Sequence, residues 1–494
     1  MASQYRRQVL SALSWSVSGD IAAQIIRAGF GVALARLLSP REFGLLAMLT
    51  IVTQFVAANA DAGFEDALVQ KPELSEAHRS SVFWAMMLIG GALTLALATA
   101  APWFARFYDV PELRPLALAL SPLFLLGAAG VVPRALLARR LDFRRPAALG
   151  CVAAAVAGVG AVMLAVRGFG VLSLAAQLLL TEAIETVLLF RACGWRPRDR
   201  FSMAALYDLF GFSAYRPLAR TLGYWARNLD QLLIGKLLGS EQLGLYARAY
   251  GLARAPVVYV SRSIVAVMFP SLAKIQHDTA RVRAVFLRTT GAVALATFPL
   301  CIGLAVSAEP LVVGALGEAW RDTIPALQLL SLAALVQSIS TLSGVLYLSQ
   351  GRPDLHLRVT ALQRIATMAA IVAAVRWGLR GVAAAQVVAA VVSAVPTLTF
   401  AGELVGLRLR TLLASLWRVL LASLVMAGAV LAARFWVGER LPPLALLAFE
   451  AALGGLTYWS AVRALHVAAY HDVLTVLRQM LRPVAGGDGE RADA

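Results

Sequence analysis

Apolar runs of about twenty residues recur from one end of this chain to the other, and they decide the fold class before any motif is read. Such a run crosses the ~30 Å hydrocarbon core of a bilayer as a helix, and in lipid only helices or closed barrels satisfy the backbone. The stretch 147–166 carries no charge and lacks the in-and-out alternation of a barrel strand. The class is therefore an all-α polytopic membrane protein. A content of 60% hydrophobic and 15% charged residues excludes an ordinary soluble globule.

Counting apolar segments between charge and proline breaks places transmembrane helices near 10–38, 43–69, 80–101, 113–137, 147–166, 170–190, 206–238, 243–270, 284–306, 322–348, 357–375, 381–403, 411–433 and 443–464. Fourteen spans put both termini on one side. Arg6 and Arg7 before an apolar stretch resemble a signal peptide, but no small-residue cleavage site follows before Leu38, so the segment reads as an uncleaved first span. With a cytoplasmic N-terminus, the even-numbered gaps between spans lie inside. They hold Arg139, Arg140, Arg144 and Arg145, then Arg191, Arg196, Arg198 and Arg200, and further on Lys274, Arg281, Arg283, Arg352, Arg408 and Arg410. This is the positive-inside pattern, and it accounts for the net charge of +17 without nucleic acid. Three cysteines without paired spacing and five unclustered histidines imply neither disulfides nor a metal.

An internal repeat divides the chain. Residues 35–47, Ala-Arg-Leu-Leu-Ser-Pro-Arg-Glu-Phe-Gly-Leu-Leu-Ala, align with 235–247, Gly-Lys-Leu-Leu-Gly-Ser-Glu-Gln-Leu-Gly-Leu-Tyr-Ala, at an offset of 200 with five of thirteen identities. The sixth and twelfth spans also open alike, Gly170-Val171 before Gln177 and Gly381-Val382 before Gln386. Six spans per repeat is an even number, so the halves share one membrane orientation, a parallel repeat with a path expected between them. The domains expected are 1–195 and 196–405 as six-helix lobes, 406–465 as two further helices, and 466–494 as a cytoplasmic tail.

Charges inside the spans carry the functional signal. On the seventh span, taking Arg216 as zero, Arg220 falls at about 40°, Arg227 at about 20° and Asp230 at about −40°. An ionised side chain at mid-bilayer costs from ~2.5 to more than ~10 kcal/mol and normally faces a partner or a wet cavity. The offset sets Arg27 opposite Arg227, Asp20 opposite Arg220 and Gln24 opposite Tyr224. The eighth span adds Arg248, Arg254 and Arg262, with Pro256 expected to bend it. The second span presents Gln54, Asp61 and Glu65 on one stripe, and Glu182 and Glu185 lie one turn apart on the sixth. Arginine suits phosphate through its planar, bidentate fork. Span carboxylates are too few to neutralise this set, which points to an anion site, whereas Trp103, Trp195, Trp377 and Trp436 read as interface anchors.

The motif at 35–44, its echo at 235–244, the run Asn-Leu-Asp-Gln-Leu-Leu-Ile-Gly at 228–235 and the plan of six, six and two helices resemble Wzx-type lipopolysaccharide or exopolysaccharide flippases. Those belong to the multidrug, oligosaccharidyl-lipid and polysaccharide exporter superfamily. The resemblance implies a MATE-like fold of two lobes alternating between inward- and outward-open states, in the bacterial inner membrane. It implies an undecaprenyl-pyrophosphate-linked oligosaccharide as cargo, with a polysaccharide polymerase and a chain-length regulator as partners beside the membrane lipids. Arg27, Arg216, Arg220, Arg227, Arg262 and Arg248 are then candidate pyrophosphate contacts, and Tyr224 and Tyr259 face sugar. Asp20, Asp61, Glu65, Glu182, Glu185 and Asp230 are candidates for charge pairing or for a coupling cation, H+ or Na+; no other cofactor and no catalytic residue is expected. The alternatives are a drug exporter, disfavoured by a basic interior, a peptidoglycan-precursor flippase, separated only by cargo, and a membrane polymerase or ligase, disfavoured because no gap looks longer than about twenty residues.

Overall fold

The computed structural model describes residues 2–60, 63–140, 142, 144–198, 201–210, 216–438 and 440–481, and the described residues form helices and turns with no strand. The chain divides into two compact units, Met1–Ala247 and Arg248–Ala494. The helices of the first are α1 (Ala2–Leu37), α2 (Pro40–Ala60), α3 (Phe64–Gln70), α4 (Glu76–Tyr108), α5 (Leu113–Leu120), α6 (Leu123–Arg139), α7 (Arg144–Val166), α8 (Val171–Cys193) and α9 (Met203–Phe210). The unit boundary falls within α10 (Arg216–Lys274). The second unit continues with α11 (Thr279–Val306), α12 (Ala308–Leu311), α13 (Thr323–Ser349), α14 (Pro353–Ala374), α15 (Gly378–Glu403), α16 (Leu409–Val437), α17 (Pro443–Ala464) and α18 (Ala468–Leu481).

Among the described residues, ten helical runs are long and apolar enough to cross a membrane. One of them, Pro353–Glu403, contains both α14 and α15, joined by a short turn at Val375–Trp377. Helices α1 and α10 fall outside the ten because they are more polar. Within α10 the single non-helical dihedral pair is at Gly239, φ 86° and ψ 178°, a conformation that a β-carbon disfavours. It divides the helix into arms 216–238 and 240–274. Pro256, where a bend was expected, interrupts no helical dihedral. The second span was expected as one helix over 43–69, but α2 ends at Ala60 and α3 begins at Phe64. The two helices make one apolar run, Pro40–Gln70, with Gly63 at a left-handed φ of 81°, and of the stripe read through Gln54, Asp61 and Glu65 the middle residue lies outside the described residues.

Lipid removes the usual hydrophobic drive between helices, so small side chains that permit close approach decide which faces turn inward. Helix α7 shows the division: Ala153, Ala154, Ala157, Gly158, Ala161 and Ala165 are buried, while Val152, Val156, Val159, Met163 and Val166 are exposed. In the first unit one core gathers Phe64, Leu68, Met86, Val132, Leu136 and Leu189 from α3, α4, α6 and α8. In the second unit Phe286, Phe298, Leu346, Tyr347, Leu398 and Val419 bring together α11, α13, α15 and α16.

The connections segregate to opposite ends of the first unit as the span parity requires. At one end Arg139 donates to the carbonyls of Leu68, Val69, Lys71 and Pro72. There also Trp195 Nε1 donates to Glu76 at 2.6 Å, and Asp208 Oδ2 meets Lys71 Nζ at 2.5 Å and His78 Nε2 at 3.1 Å. At the other end Arg41 pairs with Glu112 at 2.5 Å and Lys236 with Asp109 at 2.9 Å.

The bonds from Lys71 and His78 hold the exposed Asp208 carboxyl below the usual carboxylate range. A depressed folded-state value means the tie is fully present above the ordinary aspartate range and lost as pH falls through the lowered value. Asp208→Asn is expected to speed proteolytic cutting of the 71–75 connection at neutral pH, measured in detergent-solubilised chain. An unchanged cutting rate counts against the tie.

Candidate functional site

The arginine stripe lies on the first arm of α10, whose opposite partner within the same unit is α2. The two run antiparallel in a continuous seam. Thr221 Oγ1 donates to Asn59 Oδ1 at 3.4 Å, the Phe55 ring packs tilted by 47° at 5.5 Å from Tyr224 and 5.0 Å from Trp225, and Tyr224 Oη donates to the Ile51 carbonyl at 2.6 Å. Farther along, Gly235 lies against Met48 and Tyr108.

Arg216, Arg220, Arg227 and Arg262 lie on α10 and Asp20 on α1, but their side chains, and Asp61 altogether, lie outside the described residues. Arg27 is exposed on α1. Asp230 is buried and accepts from Tyr246 Oη at 2.9 Å and from the Gln231 amide at 2.9 Å. Tyr224, expected to face sugar, turns its hydroxyl to the α2 backbone, whereas Tyr259 is half-exposed at 50%. In the second unit Arg248 lies over the Trp320 ring at 5.9 Å, a cation–π geometry, and Arg254 donates to Tyr250 Oη at 2.8 Å. Glu65 sits on α3, half-buried.

The structure does bring Glu182 and Glu185 to one place, and it adds a residue that the sequence reading missed. Arg134 of α6 sets Nη2 3.7 Å from Glu182 Oε1 and 3.6 Å from Glu185 Oε1. Gly127 and Gly130 on α6 face Glu182 and Thr186, leaving room for the acids. Leu180, Val187 and Arg191 form the exposed stripe of α8, and the two glutamates lie about 140–200° around from it. One guanidinium thus serves two carboxylates on an inward face. Arg364, eleven residues into α14 and half-buried, is a second intramembrane cation that the span reading passed over. Its place at the middle of an apolar run was the available signal.

The two extra helices carry their own charge pair. Arg434 Nε donates to Glu450 Oε1 at 2.7 Å and Nη2 to Oε2 at 2.8 Å, with the Glu450 side chain fully covered. This bidentate geometry is a packing device between α16 and α17.

Comparison with known proteins follows the same lines. Residues 33–325 match the family described as polysaccharide biosynthesis protein, a match that begins at the first motif and includes its echo. The chain is 27% identical over 376 residues to the lipopolysaccharide biosynthesis protein WzxC of Escherichia coli (strain K12), covering 74% of this chain and 75% of that one. It is 30% identical over 302 residues to the succinoglycan biosynthesis transport protein ExoT of Rhizobium meliloti (strain 1021), covering 61% of each. Its fold is similar to that of the lipid II flippase MurJ in an inward closed conformation, with TM-score 0.69, 14% identity, and coverage of 93% of this chain and 100% of that one.

Proposed function

Because the chain belongs to the polysaccharide biosynthesis protein family, we propose that it is a lipid-linked oligosaccharide flippase. It moves an undecaprenyl-pyrophosphate-linked repeat unit from the cytoplasmic to the periplasmic leaflet of a bacterial inner membrane by alternating access. The observation that carries this reading is the family match over both copies of the motif on a membrane-spanning helical frame. The similarity to ExoT, a succinoglycan biosynthesis transport protein, and the arginine-rich first arm of α10 support it. A pyrophosphate crossing a low-dielectric layer needs charge-assisted donors in both end states, and guanidinium groups are suited to that work. The chain is read as a transporter, not an enzyme. Fourteen spans follow if α1, both arms of α10 and α14 and α15 counted singly join the remaining apolar runs. The functional lobes are then 1–195 and 196–405, with both termini cytoplasmic.

In cells deprived of their own polysaccharide flippase, the chain is expected to restore surface polysaccharide. Accumulation of lipid-linked repeat units despite full-level expression would sink the reading. A polymerase and a chain-length regulator act downstream on the exported unit.

The coupling cation is assigned to Arg134, Glu182 and Glu185. Two carboxylates sharing one guanidinium leave one negative charge to be met in a medium that penalises it, and a proton meets it most compactly. Glu182→Gln or Glu185→Gln is expected to make export insensitive to a protonophore while protein level is retained. Export that stays as protonophore-sensitive as the wild type removes these residues from coupling.

A further inference from the structure

Helix α9 has 8 residues, or about 12 Å at 1.5 Å each, too short to cross a membrane, yet it is apolar on two opposite sides. Its inner side is docked: Ala205 and Leu209 are buried, and Leu206 packs on the core built from α3, α4, α6 and α8. The Ser202 amide donates to Ser81 Oγ at 2.8 Å, which sets α9 beside the first turns of α4. The outer side carries Met203 and Tyr207, one turn apart and 56% and 72% exposed, with Phe201 just before them at 46%. Trp195, expected as an interface anchor, is instead buried and stacks on Phe190 at 6.2 Å, so the anchoring positions in this segment pass to Phe201 and Tyr207.

Cations surround this apolar side. The connection 191–200 holds four arginines and one aspartate. Arg191, Arg196 and Arg198 are exposed, as is Arg140 just past the end of α6, and among the described residues no carboxylate pairs with them. Arg145 Nη1 donates to the Ala192 carbonyl at 3.4 Å, which draws the start of α7 to the end of α8. The single acid of α9, Asp208, is turned to Lys71 and His78, so the outer side keeps no negative charge. Arg191 continues the exposed stripe of Leu180 and Val187 on α8, which places a guanidinium where lipid-facing side chains give way to water.

A positive-inside bias accounts for the arginines but not for a short helix with an uncovered apolar side. Hydrocarbon and negative charge at one depth, as an anionic leaflet offers them, account for both. We propose that the outer side of α9, with Arg140, Arg191, Arg196 and Arg198, is a docking surface for anionic phospholipid headgroups. This rests on the topology read above, which gives these connections to the cytoplasmic leaflet. Phe201, Met203 and Tyr207 enter the boundary between headgroups and acyl chains, and the guanidiniums meet the phosphates. Each basic side chain beside an anionic leaflet strengthens attachment about fivefold, so anionic lipid restrains the local opening of α9 from the first unit.

The test uses the purified full chain in nanodiscs, which leave both faces of the bilayer open, made of phosphatidylcholine alone or of phosphatidylcholine with phosphatidylglycerol. Chymotrypsin cutting at Phe201 and Tyr207 is followed by mass spectrometry. The anionic lipid is expected to slow both cuts about tenfold or more at low salt, and the protection to shrink as ionic strength rises. The pair Arg196→Gln and Arg198→Gln keeps both cutting sites and is expected to lose most of the protection, while its melting temperature in neutral discs stays that of the wild type. Equal cutting in the two kinds of disc overturns the proposal, and so does full protection of the glutamine pair. Protection by inorganic phosphate in neutral discs would make the patch a site for a soluble anion and overturns it as well. The readout needs no transport, so the surface is decided whether or not the chain restores export.

Discussion

A chain carrying Arg220→Ala and Arg227→Ala together is expected to reach the membrane in normal amount and to export almost no polysaccharide. A hydrogen bond to a charged group contributes about 1.5–3 kcal/mol, so losing two such contacts to a pyrophosphate weakens its hold by about 3–6 kcal/mol, or more than about 100-fold. The effect is larger on transport than on folding for a physical reason. Removing an intramembrane cation spares the empty protein a desolvation cost, while it takes from the cargo the counter-charge proposed for it. The pair Arg220→Lys and Arg227→Lys separates charge from geometry: lysine keeps the charge but not the planar fork, and export is expected to return only partly. Surface polysaccharide quantified against membrane protein level is the measurement. Wild-type export by the double alanine chain at equal level would remove both residues from the cargo path.

The second large effect is on stability. Arg434→Ala leaves the Glu450 carboxylate, fully covered between α16 and α17, without its bidentate partner, and breaking a buried pair from one side costs about 3–5 kcal/mol. Glu450→Ala is expected to cost less. Arg434 lies three residues from the end of α16 and keeps 22% of its side chain accessible, so it can extend toward the interface once released. Replacing both by apolar residues, Arg434→Met with Glu450→Leu, is expected to restore most of the loss, since neither charge then remains to be desolvated. Thermal unfolding in one detergent ranks the three. Equal melting of Arg434→Ala and wild type, or a double variant as unstable as Arg434→Ala, contradicts the account.

Helical periodicity and apolar length are local properties, and what depends on them was legible. The span expected at 443–464 matches α17 (Pro443–Ala464), and that at 170–190 approximates α8 (Val171–Cys193). The repeat at 35–47 and 235–247 was visible as well, and with it the family. The left-handed backbone at Gly63 was not, because an apolar composition continues through it and hydropathy is blind to a single dihedral. Glu182 and Glu185 were recognised from their spacing on one helix, but Arg134 was not, since periodicity reports faces and never which neighbouring helix a face will meet. Arg434 and Glu450 were within reach: a lone carboxylate in an otherwise apolar span demands a partner, and the preceding span offers a guanidinium.

Arg139 sets a clock on biosynthesis. The carbonyls of Leu68, Val69, Lys71 and Pro72 end α3 and its connection, and they are satisfied by a side chain that lies as many as 71 residues later in the chain. At about 5–20 residues per second of synthesis, those oxygens wait about 4–14 s for their donor. During that interval water must serve in place of the guanidinium, so the end of α3 stays at the wet surface until α6 has been made and inserted. The order of translation thereby enters the fold: the nascent first unit cannot close this edge at the second span, and an arrested chain ending before residue 139 carries it open to the solvent and to whatever chaperone attends it.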